Sequence, residues 1–240
     1  RWFGRKATGS LYRRESILLV VLIWIITSLI SALPFTLSGT LGPLNAYFEA
    51  MSGLTTTGAT MLSPKAYHSL TGTEVPIHLT NLHVPEKTYV YYGTVAPIRD
   101  PSTGLILYSG IEAVGKALLL WRSLLQWIGG MGIVVIFLAV LPILGVGGKF
   151  LYQMEPSGLL KNEISPRVQE TAAQLWKLYT GLTLLQIALL VWTNGEMPFF
   201  DALCTALSTI STGGFSVRNE SIASYHNAAT EGIVIAFMIL

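Results

Sequence analysis

Charged residues are scarce in this 240-residue sequence: Asp, Glu, Lys and Arg make up 12% of it, against about 25% in a typical soluble domain. Because 51% of the residues are apolar as well, the composition excludes an ordinary water-soluble domain and indicates a membrane protein. The single cysteine, Cys204, excludes an internal disulfide and a thiolate metal cluster, so we predict that it is a small packing residue. The net charge of +2 is too small to indicate a nucleic-acid partner.

Two further kinds of site are excluded by what the sequence lacks. His68, His78 and His83 lie in a polar stretch without the short helical spacing of a zinc site, so we expect solvated loop histidines. The glycine-rich residues 145–148 are preceded by no strand and followed by no Lys-Ser or Lys-Thr pair, which excludes a phosphate-binding loop.

What the chain does contain is one pattern that occurs twice, at an offset of 156 residues and without a gap. Residues 44–60 read LNAYFEAMSGLTTTGAT, and residues 200–216 read FDALCTALSTISTGGFS. The identical pairs are Ala46/Ala202, Ala50/Ala206, Ser52/Ser208, Thr56/Thr212 and Gly58/Gly214. In each copy Asn45 or Asp201 is predicted to cap a short apolar helix that runs into a turn rich in hydroxyls and glycine.

A short helix aimed at such a turn is typical of an ion pore. The carboxyl end of a helix carries a partial negative charge that favours a cation, and the turn offers carbonyl and threonine oxygens that can replace water. A helix over residues 45–54 is too short to cross a bilayer, so it lies at the interface or re-enters the membrane part-way. The first turn comprises Thr55, Thr56, Thr57, Gly58, Ala59 and Thr60, and the second turn comprises Ser211, Thr212, Gly213, Gly214, Phe215 and Ser216.

Three longer apolar segments, 17–35, 118–144 and 173–192, are predicted to span the membrane, with Pro34 at the outer end of the first. A basic flank, 1–16, and a polar loop, 149–172, are expected in the cytoplasm because basic residues concentrate on that side. The first segment shifted by the 156-residue offset falls on the third, so a spanning helix, a short helix and a turn form one repeated unit. A last apolar run stops at Leu240, and we expect the chain to be a piece of a longer protein.

Residues 61–116 have a different character, with five prolines, three histidines and balanced charges. Extended segments at 88–92 and 105–108, with a turn at 100–104, predict a small β-rich insert on the outer side. Because the second unit has no counterpart of this insert, we expect it to be dispensable for ion selectivity.

The second spanning segment contains an arginine and a run of small residues, and a role can be predicted for each. Arg122 is predicted to snorkel to the outer interface, with a position at a pore mouth as the alternative. The Gly-Gly-Met-Gly run at 129–132 is predicted to let another helix or a turn approach closely.

Several strings resemble the TrkH-type subunit of the bacterial Trk/Ktr/HKT potassium transporter superfamily. They are FEAMSGLTTTGAT (48–60), WRSLLQWIGGMGIVV (121–135), LPILGVGG (141–148), SPRVQETA (165–172) and LSTISTGGFS (207–216). The resemblance implies an all-α membrane fold made of four units of potassium-channel type, each a helix, a pore helix, a filter and a helix. The chain would hold the first unit, 17–148, and most of the second, 173–240.

The same resemblance implies that potassium is the transported ion and that no organic cofactor is held. It places coordinating carbonyls at Thr56 and Thr57 and at Thr212 and Gly213, and the glycine at Gly58 goes with potassium preference. It also implies a cytoplasmic TrkA-type nucleotide-binding regulatory subunit, a homodimer, and a multi-pass location among the lipids of the bacterial inner membrane. Two turns supply only half a ring of oxygens, so the later units would supply the rest.

Three alternatives to a simple potassium pore stay open at this point. One is a cation symporter coupled to protons or sodium, and another is a secondary transporter of a different solute with duplicated broken helices. The third, a membrane enzyme, has little support because no Ser/His or Asp/Asp pair lies in the apolar segments. The obvious acid, Glu49, is matched by Thr205 in the other copy.

Overall fold

The computed structural model describes residues 13–68, 71–80, 88–140 and 164–239. These residues form a mostly helical fold with small sheets. Its helices are α1 (Arg13–Leu37), α2 (Pro43–Leu54), α3 (Lys116–Val140), α4 (Ile164–Thr193), α5 (Phe199–Ile210) and α6 (Ala228–Ile239). Short 3-10 helices cover Gly110–Ala113 and Ser221–Tyr225.

Three of these helices are long and apolar enough to cross a membrane, over Ile17–Leu37, Lys116–Val134 and Glu170–Thr193. The side chains of α1 leave a large apolar surface uncovered, with Leu18 61% and Ile30 62% exposed, as expected of a face that meets lipid. The helices α2 and α5 have 12 residues each, or about 18 Å, which is too short to span.

Two of the long helices extend beyond the segments that were predicted to span the membrane. Helix α1 continues past Pro34 to Leu37, because a proline removes one helical donor while its own carbonyl still accepts from Ser38 at 3.1 Å. Helix α4 begins at Ile164, so the end of the predicted cytoplasmic loop is helical. The described part of helix α3 reaches Val140, and residues 141–163, which include most of that loop, lie outside the described residues, as do 1–12 of the basic flank.

The insert contains short strands, as predicted. They pair as three antiparallel two-stranded sheets: β1 (Ala66–Tyr67) with β2 (Glu74–Val75), β3 (Ile77–Thr80) with β4 (Thr88–Tyr91), and β5 (Ile98–Arg99) with β6 (Ile106–Tyr108). Asp100 shapes the turn between β5 and β6, where hydrogen bonds from Ser102 and Thr103 lower the pKa of its carboxyl group. His68 and His78 are exposed, and His83 lies outside the described residues.

The middle of the insert packs onto the chain that leaves the first turn. Val95 is buried in the main apolar core, and its carbonyl accepts from the Lys65 amide at 2.8 Å. The Thr94 hydroxyl donates to the Met61 carbonyl at 2.7 Å and accepts from the Ser63 amide at 3.0 Å. The insert is therefore anchored at its centre and extends away through its hairpins.

Helix α3 lies between the two short helices and contacts both. A Cβ on Gly129 would overlap the Leu54 carbonyl at the end of α2, and one on Gly130 would meet Ser211 and the Tyr179 hydroxyl. The predicted close approach is confirmed at these two glycines. Cys204 is 1% exposed in the same core, as predicted for a packing residue.

Candidate functional site

The two short helices begin two residues before the predicted start. Pro43 occupies the first turn of α2, where its fixed φ and missing N–H suit a helix start, and Pro198 precedes α5. Asn45 and Asp201 therefore lie inside the helices, and neither makes a side-chain cap bond in the described structure, so the predicted caps are wrong. The Asp201 carboxylate instead accepts from Arg218 at 2.9 Å.

Both helices end in the same hydrogen-bonded turn. In the first, the Thr57 amide donates to the Ser52 carbonyl at 2.9 Å, and the Thr56 amide donates to the Gly53 carbonyl at 3.0 Å. In the second, the corresponding bonds run from Gly213 to Ser208 and from Thr212 to Thr209, both at 2.8 Å. This pair of bonds is the Schellman arrangement, which ends a helix with one residue in the left-handed region.

The left-handed residues occur at the same positions in both turns. Thr56 has φ +54° and Thr212 has φ +51°, while Gly58 has φ +76° and Gly214 has φ +83°. Glycine adopts such angles readily, whereas a β-branched residue at positive φ is strained by about 1–3 kcal/mol. Strain of this kind persists where the surrounding structure fixes the backbone, and it occurs most often at functional sites.

The two turns are in direct contact with each other. A Cβ added to Gly58 would overlap the Gly213 carbonyl oxygen, so only glycine fits there. A Cβ added to Gly214 meets nothing within 4 Å among the described residues. The structure thus brings together the turns that are 156 residues apart in the sequence, with the carbonyl of one against the glycine of the other.

Different side chains make hydrogen bonds that hold the two turns in place. In the first, the Ser52 hydroxyl donates to the Ala59 carbonyl at 2.6 Å. In the second, Gln126 of α3 supplies the support: its Oε1 accepts from the Ser208 hydroxyl at 2.6 Å and from the Phe215 amide at 3.2 Å. The Nε2 atom of Gln126 has no partner among the described residues.

The predicted snorkelling of Arg122 is wrong. This arginine is 1% exposed, and its Nε donates to Oε1 of Glu49 on α2 at 2.7 Å, where Glu49 is 0% exposed. A snorkelling arginine needs a path to water, and a residue at a pore mouth needs exposure as well, so neither prediction fits. A buried guanidinium instead requires a buried acid within reach.

The ion pair contacts the C-terminal ends of both turns. From the first turn, the Thr60 hydroxyl donates to Glu49 at 2.9 Å and accepts from Arg122 Nη2 at 3.2 Å. From the second, the Ser216 carbonyl accepts from Arg122 Nη1 at 3.2 Å, and the Phe215 ring lies 4.0 Å from the guanidinium carbon. We call Glu49, Thr60, Arg122, Phe215 and Ser216 the inter-turn cluster.

The roles of Glu49, Arg122 and Gln126 were missed from the sequence. A signal existed, because Arg122 and Gln126 are four residues apart in an apolar helix and therefore share one face. Glu49 was set aside because the second copy has threonine at that position. Within the described part of the chain, no group of three or more His, Cys, Asp and Glu residues could hold a metal ion.

Comparison with known proteins places the chain in a family. The sequence pattern of the TrkH family of cation transport proteins matches residues 99–240, which is more than half of the chain. The Trk system potassium uptake protein TrkH of Salmonella typhimurium is 36% identical over 242 aligned residues, covering 100% of this chain and 40% of that protein. The Trk system potassium uptake protein TrkG of Escherichia coli is 33% identical over 244 aligned residues, with the same two coverages.

A solved structure agrees with these relatives. The crystal structure of the potassium transporter TrkH from Vibrio parahaemolyticus matches with a TM-score of 0.65 and 30% identity, covering 98% of this chain and 38% of that one. The chain belongs to the TrkH family, and it spans about 40% of the length of the relatives it matches.

Proposed function

We propose that this TrkH-family chain forms part of a potassium uptake pore and that its two turns are two of the filter segments. The observation that carries the proposal is the contact between two turns with the same backbone, each with threonine and glycine in left-handed conformations. The carbonyls of Thr56 and Thr57, and of Thr212 and Gly213, would coordinate the ion. The relatives are named as potassium uptake proteins, which supports potassium as the ion.

The chemistry of the turns suits a large monovalent cation. Potassium leaves its water only where several oxygens replace it together, and backbone carbonyls on a shared axis can supply them. The helices α2 and α5 both end at a turn, so their partial negative ends favour a cation there. Two turns provide half of such a ring, and the part of the relatives that this chain does not span would provide the remainder.

The proposed organisation follows from this pore. Residues 17–148 form one unit with the insert at 61–116 outside, and residues 173–240 belong to a second unit that lies parallel to it. The protein would sit in the bacterial inner membrane as a homodimer, with a cytoplasmic TrkA-type regulatory subunit as partner. The relatives' names, which refer to a Trk system, favour a protein that works with other components.

One alternative is a symporter coupled to protons or sodium. It would use the same two turns and would differ from a potassium pore only in the coupling of ion flow. A secondary transporter with inverted repeats is disfavoured, since inverted units would face opposite ways, whereas the charge pattern places the segments before both units, 1–16 and 149–172, on the cytoplasmic side. An enzyme is disfavoured because the relatives are named as uptake proteins.

The test is the ion selectivity of the full-length protein carrying Gly58→Ser or Gly214→Ser. Both changes place a side chain at positive φ, and Gly58→Ser also displaces the Gly213 carbonyl, so we expect potassium-over-sodium selectivity to fall in both and further in Gly58→Ser. Reversal potentials, or rubidium against sodium uptake at matched expression, measure it. A tenfold change corresponds to about 1.4 kcal/mol in relative site energy.

A matched control is Gly104→Ser in the insert hairpin. Gly104 has φ +70° and open space around it, so the substitution introduces the same backbone strain away from the turns. Selectivity should stay at the wild-type value in this variant. Unchanged selectivity in both Gly58→Ser and Gly214→Ser would show that the turns are ordinary loops.

A further inference from the structure

We propose that the buried Glu49–Arg122 ion pair is a positioning device that holds the two turns at a fixed distance, so that ion selectivity depends on it. This inference rests on the proposed function, because it assigns a role in selectivity to residues that do not face the ion. Glu49 lies on α2 and Arg122 lies on α3, so the pair is part of neither turn.

The geometry ties the pair to both turns at once. The Glu49 carboxylate accepts hydrogen bonds from the Thr60 hydroxyl at 2.9 Å and from the Met61 amide at 2.7 Å, which fixes the chain at the end of the first turn. Arg122 donates to the Ser216 carbonyl at 3.2 Å and stacks on Phe215, which fixes the exit of the second. A planar guanidinium can serve all of these partners together, whereas an ammonium group cannot.

Stability alone does not account for an ion pair at this place. Burying two charges costs desolvation energy, and an apolar pair of similar volume packs at least as well in many proteins. What a charged pair adds is direction, since each hydrogen bond fixes an angle as well as a distance. The partners here are backbone and hydroxyl groups of the two turns, so these hydrogen bonds fix the orientation of the turns.

The second unit has no copy of this device in the described structure. The position that corresponds to Glu49 is Thr205, a residue that carries no charge and lines a cleft beside the second turn. Asp201, in the first turn of α5, pairs with Arg218, which is partly exposed and lies two residues after the second turn. The Glu49–Arg122 pair is therefore specific to the junction between the two turns.

The experiment compares selectivity with stability in the full-length protein reconstituted into liposomes. The variants are Arg122→Lys, Glu49→Gln and the double change Glu49→Met with Arg122→Leu. Lysine keeps the charge beside Glu49 but cannot reach Thr60 and Ser216 together, and the double change fills the space without leaving a single buried charge. The potassium-to-sodium permeability ratio and the midpoint of thermal unfolding are measured for each.

We expect the permeability ratio to fall by about tenfold in Arg122→Lys and in the double variant, a change that liposome flux resolves easily. The control is Leu119→Ala, one turn earlier on α3, where Leu119 is 5% exposed and its apolar side chain belongs to the main core. This control should lower the unfolding midpoint and leave the ratio at the wild-type value.

Two results would overturn the inference. One is a wild-type ratio in the double variant, and the other is loss of that variant from the membrane, which would assign the pair a role in folding alone. The proposed function is judged separately by Gly58→Ser. If that variant loses selectivity while the Glu49 and Arg122 variants keep it, the turns are a filter and only the positioning role is wrong.

Discussion

Thr56 and Thr212 adopt a backbone conformation that threonine rarely takes, and each does so at the position where most helices of this type end in glycine. Glycine would relieve the strain at no steric cost. Threonine instead carries a β-branched side chain with few χ1 rotamers, and its backbone has fewer allowed conformations than that of glycine. In the proposed filter, that restriction would help to keep the carbonyls of the turn aligned.

The sequence pattern predicted both turns to the residue, with Gly58 and Gly214 inside them. It did not predict the left-handed threonines, because local preference assigns such angles to glycine or asparagine. The Schellman hydrogen bonds override that preference, and they depend on where the helix ends.

Gln126 offers a test at the scale of one residue. We expect Gln126→Leu to destabilise the protein by about 1–3 kcal/mol, since the Phe215 amide and the Ser208 hydroxyl would lose their buried acceptor. Ser208→Ala should cost less, because Oε1 of Gln126 keeps the Phe215 amide. Thermal unfolding of the two purified variants in one detergent measures the difference, and a larger loss in Ser208→Ala would contradict the assigned support.

At the scale of elements, α3 organises the site. One face carries Arg122 and Gln126, which bind the turns, and one helical turn later Gly129 and Gly130 admit the ends of the short helices. Hydropathy predicted α3 as a spanning helix, and the glycines predicted close packing. The partners of Arg122 could not be predicted, because they lie 73 and 94 residues away in the chain and meet it only in the fold.

The insert needs a finer test than its complete removal. A deletion of 67–109 would also remove Thr94 and Val95, which hold the chain after the first turn. The exposed β5–β6 hairpin is separate from that anchor, and its end residues Ile98 and Tyr108 are already paired. We expect replacement of 99–107 by Asn-Gly to leave potassium-over-sodium selectivity and expression unchanged.

The contrasting variant is Thr94→Ala, which removes two hydrogen bonds to Met61 and Ser63. We expect it to lower stability by about 1–3 kcal/mol, because both backbone partners are left without their hydroxyl. Flux assays and thermal unfolding of both variants separate the two parts of the insert. Loss of selectivity after the hairpin replacement would show that β5 and β6 shape the pore entrance.

At the scale of the whole molecule, the order of spanning helices determines which segments share a side. Among the described residues, only α1 is long enough to span between the basic flank and the insert, since α2 is too short to cross, and only α3 is long enough to span between the insert and residues 141–163. We therefore expect the flank and residues 141–163 to share one side of the membrane, with the insert on the other. Because basic residues concentrate on the cytoplasmic side of membranes, we expect that shared side to be the cytoplasm.

Cysteine accessibility tests this arrangement in intact cells. We expect a membrane-impermeant thiol reagent to label a cysteine introduced at Ser102, which lies in the exposed turn between β5 and β6. A cysteine introduced at Asn162 should stay unlabelled until the cells are permeabilised. The background is Cys204→Ala, although Cys204 itself is 1% exposed and should not react. Labelling of Asn162→Cys but not Ser102→Cys in intact cells would reverse the orientation. Labelling of both would place a further crossing between them, and the two units could then not lie parallel around one pore.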